Sequence, residues 1–122
     1  SFGLKVRSKS EALIAELLHL WKIPFHYDEE VAFKDSAGNW HTFSVDFIIM
    51  TPSGEKIYWE HMGLFHEELY RVRNFTKIRV LYDNEIMLSN NLIITMESKK
   101  HPLNPSTLDR IIRTQILPFF ES

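Results

Sequence analysis

The sequence predicts an α/β fold, a mixed sheet of four to five strands flanked by helices in the order α-β-β-β-α-β-α. Three observations predict it. Apolar residues recur at spacings of three and four in the segment starting at Ser8, as an amphipathic helix requires, and further helices are expected from Glu67 and from Ser106. Between the first two lie short runs rich in β-branched and aromatic residues, separated by Asp35-Ser36-Ala37-Gly38-Asn39 and Thr51-Pro52-Ser53-Gly54. Leu92-Ile93-Ile94-Thr95 is a short apolar run of the kind buried on both faces of a sheet.

The first helix is expected over 8–21, with Ile14, Leu17, Leu18 and Trp21 as its apolar stripe. Ser8 followed three residues later by Glu11 fits a capping box, and Pro24 stops the segment. Residues 25–28 and 31–34 read as two short strands around the acidic cluster Asp28-Glu29-Glu30. The next strand runs over 40–50. Strict alternation puts Phe43, Val45, Phe47 and Ile49 on one face, and Thr42, Ser44, Asp46 and Ile48 on the other. After a turn short enough for an antiparallel hairpin, a strand over 55–62 sets Tyr58, Glu60 and Met62 opposite Ile57, Trp59 and His61. The second helix covers 67–82 and Asp83-Asn84 ends it. Ser106 or Thr107 can cap a last helix reaching about Leu117.

With 122 residues, 44% apolar and 25% charged, the chain is of a size for one domain with a real core. It has no cysteine, hence no disulfide framework and no thiolate metal site, which fits a cytoplasmic location. No apolar run is long enough for a membrane span. The chain starts at Ser1, and we expect residues 1–122 to be one domain excised from a longer, multidomain protein. The net charge of −2 lacks the general basic footprint of nucleic-acid binders, so contact with phosphates has to rely on a local patch or a bound metal.

Two carboxylates carry the chemical signal. Asp46 and Glu60 sit in adjacent strands among Val, Ile, Phe and Trp, where an ionised carboxylate is costly unless something positive compensates. Brought together they repel, and a hard divalent cation such as Mg²⁺ relieves that while accepting phosphate oxygens. Their pairing points to a metal-dependent site acting on phosphodiesters. The order of elements, with these motifs, resembles the PD-(D/E)xK (restriction-endonuclease-like) nuclease superfamily over about residues 8–117. Val45-Asp46-Phe47 stands where that family has Pro-Asp, and Glu60-His61-Met62 where it has Glu-x-Lys. The resemblance is closest to a branch with a Tyr-Trp-Glu-His-x-Gly motif, here Tyr58–Gly63, followed by a helical Lys before a Tyr (Lys77, Tyr82) and Asn91-Leu92-Ile93-Ile94-Thr95.

The resemblance implies a restriction-endonuclease-like core and Mg²⁺-dependent hydrolysis of DNA, with Mn²⁺ able to substitute. It implies Asp46 and Glu60 as metal ligands, aided by the His61 backbone carbonyl, and Glu11 in the metal shell, directly or through a water. Met62 departs from the pattern, since a thioether cannot replace the family's lysine. In the branch it resembles the lysine has migrated to the following helix, which makes Lys77 the catalytic ammonium. A homodimer would suit cutting of both strands.

Each residue also has a plainer reading. Glu11 fits a capping box alone, Lys77 a solvated helix face, and Arg71, Arg73 and Arg79 a solvated basic ridge. His61 and His66, without further soft ligands, do not make a zinc site. A catalytically inactive nuclease-fold module binding nucleic acid or a protein partner is the alternative. A dimerisation module within a larger helicase, transposase or defence protein is a third class. Nothing supports an NTPase or a covalent hydrolase, for the chain has no Gly-rich phosphate loop, nucleophile elbow or cysteine.

Overall fold

Ser8 is extended (φ −149°, ψ 164°), and its hydroxyl accepts the Glu11 amide at 3.1 Å, so the first helix starts where an orphan N–H finds a partner. The computed structural model describes residues 8–63, 68–98 and 100–121. Helix α1 spans Lys9–Leu20 and buries Ile14, Ala15 and Leu18. Trp21, expected in that stripe, is instead the C-cap and 40% exposed, because the helix has already ended there.

Strands β1 (Phe25–Lys34), β2 (Trp40–Met50) and β3 (Lys56–Met62) form an antiparallel meander, and β4 (Leu92–Met96) adds parallel to β3. The parallel pair needs a crossover, and α2 (Glu68–Asp83) supplies it. The sheet is thus mixed and four-stranded, in the order β1-β2-β3-β4. Gly54, at φ 92°, lets the β2–β3 turn close with Thr51 N–H on the Glu55 carbonyl at 3.2 Å. That turn fixes the register at Phe47↔Trp59. Among the described residues no helix is long and apolar enough to cross a membrane.

Several details depart from the sequence reading. Residues 25–34 are one ten-residue strand rather than two pieces, since β2 pairs with them from Ile49 to Trp40, with a break only at Asp28. Strict alternation also fails in β2. Phe47 packs with Tyr27 and Trp59, while Phe43 stacks on Phe33 in a different cluster, with Leu81 and Leu92. Between the pairs Tyr27↔Phe47 and Glu29↔Val45, Asp28 takes a left-handed φ of 53°, which interrupts the pleat at the level of Asp46. The last helix, α3 (Pro105–Ile111), is capped by Asn104 rather than Ser106 or Thr107, because Pro105 is suited to the first helical position. It runs on as a π turn over Ile112–Ile116 and a 3₁₀ turn over Leu117–Phe120. The start expected for α2, Glu67, lies outside the described residues.

The larger core lies between the sheet and the helices α1 and α3, where Ile14, Leu18, Phe47, Trp59, Leu108 and Ile112 are buried. Trp59 is central, fully buried with its indole N–H donated to Thr95 Oγ1 at 3.1 Å. Trp59→Ala should cost about 3–5 kcal/mol, the usual loss for a large buried aromatic, read as a lower urea midpoint. A midpoint within error of the parent would mean that this layer is not what holds the domain together.

Candidate active site

The register that pairs Phe47 with Trp59 sets Asp46 across from Glu60 at the point where the β2–β3 ladder ends. There the Asp46 side chain replaces a ladder carbonyl, its Oδ2 accepting the His61 backbone N–H at 2.8 Å. A buried amide needs an acceptor, and the strand backbone no longer offers one. Both carboxylates are buried, Asp46 5% and Glu60 1% exposed. The Asp46 carboxyl is near enough to act on Glu60 through its charge and as a hydrogen-bond partner. Burial, the Asp46 charge and that hydrogen bond raise the Glu60 carboxyl to about 8, against the pull of the Lys77 ammonium.

Lys77 reaches this pair from α2. Its Nζ donates to the Ser44 carbonyl at 2.8 Å and lies 3.2 and 3.4 Å from the two Glu60 carboxyl oxygens. It also stands 5.7 Å from the centroid of the Phe43 ring. The stem packs inward and carries the charge across from helix to sheet, leaving the side chain only 18% exposed. The short Lys77–Glu60 contact and the raised Glu60 carboxyl pull in opposite directions. Burial decides for the protonated acid, because one carboxylate, one neutral acid and one ammonium together are a neutral buried cluster.

His61 points its imidazole away from the pair, as alternation from Glu60 demands. Its Nδ1 lies 2.8 Å from Thr95 Oγ1 and its Nε2 2.8 Å from Glu97 Oε1. The Glu97 carboxylate accepts a hydrogen bond from Nε2, and Nδ1 pairs with the Thr95 hydroxyl. A hydrogen bond from Ser10 and then the His61 contact hold the Glu97 carboxyl below the usual range. The imidazole thus anchors the end of β3 to β4 and α1. Glu11 accepts the Tyr27 hydroxyl proton while its own amide keeps the Ser8 cap. Met62 is buried, so the residue two after Glu60 is apolar and offers no cation.

Of the residues expected from sequence, Asp46, Glu60 and Lys77 come together, and His61 adjoins them through its backbone. Sequence reasoning missed the Ser44 carbonyl, since a backbone acceptor leaves no mark in side-chain identity. It missed Glu97 as the partner of His61; the one available signal was a polar Thr95 closing an apolar run. Among the described residues no group of three or more His, Cys, Asp or Glu side chains converges to hold a metal. Two carboxylates and a backbone carbonyl do not make an all-protein cage, but they suit Mg²⁺, which keeps several waters and is bound through one or two carboxylates. Comparison with family models, curated proteins and solved structures finds no match to this chain.

Proposed function

We propose that the chain is a PD-(D/E)xK-type nuclease domain hydrolysing DNA phosphodiester bonds with Mg²⁺. The observation that carries this reading is the convergence of Asp46, Glu60 and the Lys77 ammonium, 3.2 Å from Glu60, where β2 and β3 part. Two buried carboxyl groups beside an ammonium have no evident value for stability, since well-packed apolar residues would serve as well or better. The same trio is the minimum for metal-assisted phosphodiester hydrolysis.

Asp46, Glu60 and the His61 carbonyl would hold the ion. Mg²⁺, when bound, polarises the phosphate and lowers the pKa of water. The remaining work falls to the chain. Glu60 releases its proton on loading, so binding strengthens as the pH rises towards 8. Lys77, fixed by Ser44, directs its N–H groups at a phosphate oxygen or the attacking water and stabilises charge as it builds. The His61–Thr95–Glu97 chain holds the end of β3, keeping the Glu60 carboxyl in place.

In Mg²⁺ or Mn²⁺ the protein should nick or degrade DNA. Asp46→Ala and Glu60→Ala should each reduce this by about a hundredfold or more, with circular dichroism unchanged. Titration of Mn²⁺ should find one site in the parent and weaker binding in either variant. Cleavage persisting undiminished in both variants would mark a contaminant and remove the assignment.

A further inference from the structure

A crossover helix packed on a sheet ordinarily turns its apolar residues inward. Helix α2 does so with Val80 and Leu81, yet it exposes Val72 (53%), Phe75 (71%) and Tyr82 (63%). From Arg71 to Tyr82 it carries four cations, Arg71, Arg73, Lys77 and Arg79, and no acid. Val72, Arg73 and Thr76 face His41, Thr42 and Phe43 of β2 across a cleft of about 480 Å³. Lys77 lines the same cleft, and its Nζ touches Glu60. A second depression shares His41 and Thr76 with the first and adds Phe75 and Arg79. The two adjoin at His41 and Thr76 and make a groove that runs from Lys77 past Phe75.

Cations interleaved with exposed apolar and aromatic side chains are the surface chemistry of unpaired nucleic acid, whose bases stack while its phosphates pair. A duplex hides its base faces and is held by many phosphate contacts, which a chain of net charge −2 does not offer. The cleft also has the size of a small-molecule pocket, on the scale of a nucleotide rather than of a double helix. The acids at the far end are engaged, Asp35 with His41 at 2.7 Å and Asp83 with Arg79 at 3.8 Å and with the Ser36 amide at 3.0 Å. They end the basic stretch without reaching Lys77.

We propose that the groove between α2 and β2 seats one unpaired polynucleotide strand, so that the substrate is single-stranded. A base lies on Phe75, phosphates meet Arg73 and Arg79, and Phe43 and Val72 wall the position next to Lys77. The inference rests on the nuclease reading for the direction of the groove, but binding tests it without cleavage. Fluorescence anisotropy in EDTA, with a labelled strand of about 16 nucleotides and its duplex, separates the two. Single-strand binding should be at least tenfold tighter. Phe75→Ala should weaken it about tenfold, the effect of losing one stacked base. Arg73→Ala should weaken it and lower the salt slope by about one. Arg113→Ala, on the far side of the sheet, should leave it unchanged. Equal or tighter duplex binding, binding of neither form, or variants that bind like the parent would overturn the proposal. Cleavage in Mg²⁺ that Asp46→Ala fails to reduce would sink the nuclease reading instead, whatever the groove binds.

Discussion

Lys77→Met should lower DNA cleavage in Mg²⁺ by roughly a hundred- to a thousandfold while leaving Mn²⁺ affinity unchanged or slightly higher. The magnitude is that of removing one preorganised charge stabiliser from a dehydrated site. The affinity follows from Coulomb's law, since the ammonium 3.2 Å from Glu60 opposes a second cation there. Methionine keeps most of the stem's volume and deletes the charge, so packing on Phe43 survives. Lys77→Arg should restore little. A planar guanidinium does not fit where a compact ammonium donates to both the Ser44 carbonyl and Glu60. Single-turnover cleavage measures the first effect and Mn²⁺ titration the second. If Lys77→Met cleaves like the parent, the ammonium is a structural partner of Glu60 and a different group activates water.

The meeting of Asp46 and Glu60 was legible in sequence because it depends on spacing that strands and a hairpin fix, whereas the choice of Lys77 came from the resemblance. The Thr51–Gly54 turn sets the β2–β3 register, and with it Asp46 across from Glu60, from local chemistry alone. What the sequence hid depends on non-local partners. Residues 25–34 form one strand only because β2 lies beside them on both sides of Asp28. Phe43 leaves the face of Phe47 over the stretch opposite Asp28, whose left-handed backbone is a state that Asp tolerates without demanding. His61 lies between a carboxylate and a thioether in sequence, yet its side-chain partners are Thr95 and Glu97, more than thirty residues on. Its backbone-carbonyl role came from the resemblance; alternation set its side chain opposite Glu60, and the imidazole does point away from Glu60.

In metal-free solution the protein should lose stability as the pH rises from about 5 to about 8, and Glu60 should be the cause. The Glu60 carboxyl stands at about 8 in the folded state against 4.5 for the ordinary group. Across that interval the unfolded chain releases the proton and the folded chain keeps it. The folded state therefore binds more protons, and stability falls with pH. Below the window both states are protonated and nothing is lost; above it both are ionised and the loss is complete. A shift of this size corresponds to roughly 3–5 kcal/mol, a large fraction of the roughly 5–15 kcal/mol available to a domain. Carboxyls held low, such as Glu97 and Asp35, act in the opposite sense but below this window. Urea midpoints measured in EDTA at both ends of the interval give the slope. Glu60→Gln, which stays neutral and keeps the shape, should flatten it and leave the variant the more stable protein near pH 8. Mg²⁺ added there should raise the midpoint of the parent far more than that of the variant, because only a carboxyl group can release its proton to solvent and bind the ion as a carboxylate. Parallel slopes in parent and variant would mean that Glu60 is ionised in the folded chain, with Lys77 rather than burial setting its charge.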